Sequence, residues 1–473
     1  MVNFCEYVQA NRVSWTPRAW ASTSLLIDAR SQSFLALDNW SLASFSLVDS
    51  TLADEDGTVG GPSTEQKIFS CLIRTDRFEG SPMLLSQRAR AIEPFYAMAF
   101  GDRAAAIESR GEHVVKLCLG EPDFGAPPAV RSAMIEVMDG RPLAYTSAAG
   151  LPALRDAIAA FYFDRHGVVV EPSRIVVTSG ASSALLLAVA ATVNPDDEVI
   201  MADPSYPCNR QLVEAFGGRV ASVATSARTQ FQLTASLVGS AWTSATRAVM
   251  MASPSNPTGT SIPQVELERI CELARQRDAW RIVDEIYLNL TDHDDHGSAP
   301  RSVLSTDRDA IVINSFSKYF GMTGWRLGWC VVPESLASSI ERMAMNYFLC
   351  ASTPAQHAAL ACFTDESLEL CEDRRLELLA RRSLVLQELA HMGLSVPAVP
   401  NGAFYVYFDV SVTGLDSWEF CERALQDARV ALTPGKDFGS QSGYRYVRLS
   451  YTASRDELRE GLARLGTFVE GLH

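Results

Sequence analysis

The chain has 473 residues, 47% hydrophobic and 21% charged, with a formal net charge of −15. That length exceeds one simple core and predicts two domains plus appendages, and the composition is ordinary for a globular protein. The acidic balance, with no basic block, argues against a nucleic-acid binder, so an anionic small substrate would need a local positive pocket.

Ten cysteines run from Cys5 to Cys421 without a CxxC pair or a zinc-type Cys/His spacing. They predict reduced, mostly buried thiols, a cytoplasmic setting and no metal site. The longest apolar run, "ALLLAVAATV" (184–193), is about half of what a bilayer-spanning helix needs. No signal peptide with a basic start and an apolar core is visible, so no membrane partner is expected.

Residues 1–82 stand apart as an N-terminal extension: rich in Ser and Thr, six Lys/Arg against ten Asp/Glu, without sustained periodicity. The expectation is poor order. A transit peptide should be poor in acids, which this segment is not, although its first thirty residues alone are compatible with one. Met83 is an alternative start.

From residue 83 the text alternates between helical and strand signals. "PALRDAIAAFYFDRHG" (152–167) has helical spacing and ends in Gly. "RIVVTSG" is a strand running into a small-residue turn, followed by the apolar helix "SSALLLAVAATV". "EVIMADPSYP", "RAVMMASPSNPTG", "WRIVDEIY" and "AIVINSFSK" repeat one form, a β-rich run ending in polar or turn residues. "WRLGWCVV" reads as a further buried parallel strand. With helices such as "QVELERICELARQ" between them, these predict an α/β fold, a mostly parallel sheet covered on both faces, whose ligands bind at the carboxyl ends of the strands. The polar clusters sit at those ends. After about residue 340, a long helical stretch and the strands "GAFYVYFDV" and "YRYVRLSYT" predict a smaller α+β domain. The expected division is an arm over 83–132, a large domain over 133–340 and a small domain over 341–473.

The stretch "NSFSKYFGMTGWRLGW" (314–329) carries Lys318 and Arg326 on a loop between two apolar strands, where an unpaired charge costs several kcal/mol and normally has a partner. Ser315, Lys318, Arg326, the turn "SGASS", Asn256 in "SPSNPTG" and Asp284 in "VDEIY" are the parts needed to hold an anionic, nitrogen-containing aromatic aldehyde. Taken singly, "GASS" is an ordinary tight turn, and one of the adjacent acids Asp284 and Glu285 would normally be a helix cap or a solvated carboxylate.

At this point the chain resembles the fold-type I pyridoxal-phosphate enzymes of the aspartate aminotransferase family, class I/II. Eight motifs carry the resemblance in the family's order over about residues 83–470: "LGEPDFGAP", "YTSAAGLPALRDAI", "SGASSAL", "DPSYP", "SPSNPTG", "VDEIY", "SFSKYFGMTGWRLG" and "VRLSY". Each alone is weak, and together they are specific. The resemblance implies a seven-stranded-type sheet in the large domain, pyridoxal 5'-phosphate as cofactor, and Lys318 as the lysine that binds its aldehyde. A free lysine of pKa about 10.4 is neutral in about one molecule in a few thousand at pH 7, so such a lysine needs a desolvated, electropositive site.

By the same resemblance Arg326 grips the phosphate with its planar fork, the Gly180, Ala181, Ser182 turn offers backbone N–H groups at a helix start, and Ser315 supplies a hydroxyl, with Ser317 behind it. Asp284 is the carboxylate that keeps the pyridine nitrogen protonated. Tyr287 and Asn256 bond the ring hydroxyl, and Tyr206 stacks on the ring. Tyr145 reaches the phosphate of a neighbouring subunit, which implies a homodimer with shared sites. Arg448 clamps the substrate carboxylate, with Asn256 and backbone contact from Gly120; Arg445, three residues away on a strand, would point to the opposite face.

The implied activity moves an amino group from an L-amino acid to a 2-oxo acid by a ping-pong route. Since cofactor-holding motifs do not fix which bond breaks, a lyase or a cyclising synthase on the same fold stays open. A transcription regulator with an aminotransferase-like domain would need a basic helix-turn-helix before the fold, and residues 1–82 are acidic. Bacterial members that accept aspartate can carry a lysine in the phosphate turn, where this chain has Ser182, so neutral or aromatic donors are expected.

Overall fold

The computed structural model describes residues 24–28, 33–38, 41–46, 85–294 and 296–472. The alternative start at Met83 and a transit peptide over the first thirty residues fall largely or wholly outside these. Within the extension expected to be poorly ordered, β1 (Ser24–Asp28), β2 (Ser33–Asp38) and β3 (Ser41–Ser46) pair antiparallel in that order. Each run has five or six residues, too short to register as sustained periodicity.

Residues 88–473 form a separate unit. After β4 (Val115–Lys116), its large sheet is built from β5 (Ile175–Thr178), β6 (Glu198–Asp203), β7 (Arg219–Ala224), β8 (Thr246–Ala252), β9 (Trp280–Asp284), β10 (Ile311–Ser315) and β11 (Gly328–Val331). The order is β5-β11-β10-β9-β8-β6-β7. β11 runs antiparallel to both neighbours, and the other pairings are parallel. The expectation that "WRLGWCVV" forms a parallel strand is therefore corrected. A parallel return needs a crossover, usually a helix, and residues 316–327 contain none, so the chain comes back beside the strand it left.

The sheet is covered on both faces, which explains why its strands read as continuous apolar runs. Val176, Ile311 and Ile313 pack with Leu185 and Leu187 of the helix Ala181–Thr192. Their alternates Val177 and Val312 face Leu154 and Ile158 of the helix Pro152–His166, together with Leu267 and Ile270 of the helix Gln264–Arg275. Each fully buried side chain of this kind contributes about 1.5–3 kcal/mol relative to exposure.

A second, three-stranded sheet has the order β12 (Tyr405–Asp409), β15 (Tyr446–Ser450), β14 (Thr433–Pro434), antiparallel throughout. β13 (Val430–Ala431) pairs parallel with β4, so residues 115–116 join the C-terminal part of the chain. All seven strands of the large sheet lie between residues 175 and 331, and the smaller sheet lies after 405.

Candidate active site

The parallel strands end on one edge, and the polar clusters stand on it. β5 leads into Gly180, β6 ends at Asp203 and leads to Tyr206, β8 leads to Asn256, β9 ends at Asp284, and β10 ends at Ser315. Each turn is polar because the strand interior is not, which concentrates the titratable groups at the sheet's carboxyl edge.

The turn after β5 is shaped by Gly180, whose φ of 83° lies in the left-handed region. A Cβ there would lie 2.6 Å from Nη2 of Arg326, so only glycine lets the guanidinium stand against the turn. Among the described residues no side chain caps the following helix, Ala181–Thr192, so its first N–H groups are available to an anion at the positive end of a 12-residue helix. Arg326 itself has a left-handed φ of 52°, a strained backbone for a residue other than glycine, and donates Nη1 to the Thr323 carbonyl at 3.0 Å. Ser315 is buried; its hydroxyl accepts from the Ser317 N–H at 3.0 Å and donates towards Leu327 O at 3.1 Å. Ser182 is exposed. A glycine cradle, an uncapped helix start, a guanidinium and a serine hydroxyl therefore converge as a phosphate group requires.

Lys318 donates its Nζ to the Gly120 carbonyl at 2.8 Å and lies 5.7 Å from the Phe404 ring centroid. Burial lowers its ammonium to about 8, with Glu121 opposing, Arg448 and Arg326 adding to the fall, and Asp284 opposing. Asp284 accepts from the Ile286 N–H at 3.0 Å; burial raises its carboxyl to about 6, against that hydrogen bond and the Lys318 charge. Glu285, the neighbour left open by the sequence, is spent elsewhere: it accepts from Ser302 Oγ at 2.8 Å and from the Val303 N–H at 2.7 Å.

Arg448 is 2% exposed on β15. Its Nη1 donates to Asn256 Oδ1 at 2.8 Å, and its Nη2 to Cys118 O at 2.5 Å and Thr433 Oγ1 at 3.2 Å. Its Nε is buried without a hydrogen-bond partner among the described residues, and its fork lies over the Tyr405 ring at 4.5 Å. An unspent donor on a buried cation beside a lysine fits an anionic group of a bound molecule. Arg445 lies in the turn Gly443–Arg445 before the strand, paired with Asp409, so strand alternation is not what separates it from the site.

Tyr287 exchanges a hydrogen bond with Tyr405 across 2.9 Å between hydroxyls. Tyr206 opens the helix Pro207–Ala215 and takes the edge of Phe95, with ring centroids 5.8 Å apart. Tyr145 is not brought into this cluster: its side chain is 79% exposed, on a loop held by Thr353 Oγ1 to Ala144 O at 2.9 Å. Sequence reasoning missed Tyr405, Phe404 and Glu121. Tyr405 was detectable in principle, because the alternation in "GAFYVYFDV" puts its ring on one face of β12, and a Cβ on Gly120 would lie 2.0 Å from its hydroxyl.

The family profile described as "Aminotransferase class I and II" matches residues 112–465. The chain belongs to this family. A valine–pyruvate aminotransferase of Mycobacterium tuberculosis is 39% identical over 380 residues, covering 80% of this chain and 97% of the relative. A probable N-acetyl-LL-diaminopimelate aminotransferase of Bacillus subtilis is 37% identical over 397 residues, covering 82% and 96%. Among solved structures, an aminotransferase from Mycobacterium tuberculosis superposes with a TM-score of 0.78 at 38% identity, covering 82% of this chain and 99% of that one. The protein is thus a class I/II aminotransferase of fold type I, dependent on pyridoxal phosphate, and the phosphate cradle, Asp284 and Lys318 fit that cofactor. No helix among the described residues is long and apolar enough to cross a membrane.

Proposed function

We propose that the enzyme carries the amino group of a neutral or aromatic L-amino acid to a 2-oxo acid in two half-reactions at one site, a ping-pong route. The observation that carries this reading is the grouping of Lys318 Nζ, the Gly120 carbonyl and the Arg448–Asn256 pair at the carboxyl edge of the sheet. Bound pyridoxal phosphate supplies an aldehyde for the amine and a ring that takes up the electron pair when Cα loses its proton.

The chain's own residues do the rest. With a pKa of about 8, Lys318 is neutral in about one molecule in ten at pH 7, so its Nζ can take the Cα proton and return it. Asp284, with a pKa of about 6, is ionised in about nine molecules in ten at that pH and can hold a proton on a pyridine nitrogen. In this reading Tyr287 and Asn256 would bond a ring hydroxyl, and the Gly180–Ser182 turn, Ser315 and Arg326 would hold a phosphate. Arg448 orients the substrate by its carboxylate, which leaves the Cα–H bond facing the lysine. Tyr145, exposed in one chain, serves the site of a second copy in a homodimer.

The donor preference rests on Ser182, which places no cation in the phosphate turn, so the distal carboxylate of aspartate lacks that partner. A buried unpaired carboxylate costs several kcal/mol, about a hundredfold or more in rate. The mycobacterial relative named for valine and pyruvate agrees with a neutral donor. The test is kcat/KM for valine, leucine, phenylalanine and aspartate with pyruvate and with 2-oxoglutarate, while ammonia is monitored. Aspartate as the best donor would overturn the preference. Stoichiometric ammonia without a requirement for an oxo acid would point to a lyase.

A further inference from the structure

One buried carboxylate near the site has no role in the chemistry described above. Asp203, the last residue of β6, is 3% exposed and sits three residues before Tyr206. Its Oδ2 accepts from the backbone N–H of Ser440 at 3.0 Å and of Gln441 at 3.4 Å, and from the hydroxyls of Ser440 at 3.4 Å and Ser222 at 3.3 Å. Its Oδ1 has no hydrogen-bond partner among the described residues and stands against Gly439, where a Cβ would lie 1.9 Å away. A carboxylate held by backbone N–H groups and hydroxyls, without a cation among the described residues, is an expensive way to fill a core position.

The segment that Asp203 holds is connected to both halves of the site. The Ser205 N–H donates to Phe438 O at 2.9 Å, tying the same turn to the same segment a second time. Phe438 is fully buried, and its ring lies 4.9 Å from the guanidinium carbon of Arg448. Asp437 accepts from the N–H groups of Tyr96 at 3.1 Å and Ala97 at 3.0 Å, which fixes the start of the helix Tyr96–Glu108 and, with it, the Phe95 ring against Tyr206. Residues 437–441 thus form a strap from the end of β6 to the three-stranded sheet that carries Arg448.

We propose that Asp203 is a positioning residue for substrate: by clasping this strap it sets where Arg448 stands relative to Tyr206, and so where the substrate carboxylate is held relative to the cofactor ring. The inference rests on the reading of Arg448 as the carboxylate clamp. A displacement of about 1 Å at such a clamp can cost about a hundredfold, so loss of the clasp should raise KM for amino acids about ten- to a hundredfold, with kcat changed by less than about threefold.

The experiment compares valine with isobutylamine, the same side chain and amine without the carboxylate, in single-turnover half-reactions of the holoenzyme followed by cofactor absorbance. Asp203→Ala should slow valine at subsaturating concentration and leave isobutylamine and cofactor affinity unchanged. Gly439→Ala, which pushes the carboxylate aside from the opposite bank, should behave alike and is the variant read if Asp203→Ala does not fold; Asp203→Asn, which keeps an acceptor oxygen, should recover most of the loss. Combined with Arg448→Lys, the Asp203→Ala loss should be much less than additive. Equal slowing of valine and isobutylamine, or full additivity with Arg448→Lys, would overturn the proposal. If Arg448→Lys itself fails to discriminate the two substrates, the clamp reading falls; if it discriminates and the Asp203 and Gly439 variants do not, only the present inference falls.

Discussion

Replacing Arg448 by lysine keeps the charge and removes the fork. The guanidinium reaches Asn256 Oδ1, Cys118 O and Thr433 Oγ1 at once, and has Nε to spare. One ammonium has three donors on a flexible stem and cannot hold those acceptors and a bidentate carboxylate together. An acceptor left unpaired in the interior costs about 1–3 kcal/mol, which should appear as a fall of that order in unfolding free energy. Breaking a buried charge pair costs about 3–5 kcal/mol, and the retained charge places the substitution at the low end, about a hundredfold in kcat/KM for amino acids. The assay is the single-turnover half-reaction with valine and isobutylamine, alongside titration with cofactor. Valine should slow by about two orders of magnitude, isobutylamine by less than about threefold, and cofactor affinity should hold. If both substrates slow alike, Arg448 does not act through the carboxylate.

Lys318→Ala should abolish turnover in a folded protein, and the visible absorbance of lysine-bound cofactor should vanish; a persistent band in the variant would refute the assignment. Arg326→Gln should weaken cofactor binding by about a hundredfold, roughly 3 kcal/mol for a lost charge-assisted pair, as read by equilibrium dialysis. The rate at which the cofactor-free protein captures pyridoxal phosphate should rise about tenfold per pH unit below about 8 and flatten above it, because Lys318 must lose its proton and is held at about 8 chiefly by burial. Arg326→Gln removes a cation that lowers that pKa and should move the plateau to higher pH. Mixing Lys318→Ala with Tyr145→Phe chains should restore part of the activity lacking in each alone; a mixture no better than its components would place Tyr145 outside a shared site.

What the sequence determined by itself is the chemistry and its order along the chain. Apolar runs ending in "SGASS", "DPSYP", "SPSNPTG", "VDEIY" and "SFSK" are local statements: a buried strand must be apolar, and a polar cluster at its end must be a turn. That was enough to place Gly180, Asn256, Asp284, Ser315 and Lys318 on one edge of a sheet. The direction of β11 was not legible, because a strand's apolar pattern is the same whichever way it runs, and only the helix-free return through 316–327 decides it. The division of labour between Asp284 and Glu285 could be named only from the family motif: the two acids are adjacent at the end of one strand, and only the fold brings Ser302 and Val303 to Glu285 while leaving Asp284 facing the Lys318 side. Arg448 could be named from "VRLSY", but its hold on Asn256, 192 positions away, and on Cys118, 330 positions away, exists only after β15 is placed in the three-stranded sheet. The Asp203 clasp is the extreme case: its partners are backbone N–H groups at 440 and 441, which every sequence contains, so no side-chain pattern announces it and only tertiary structure brings them within reach.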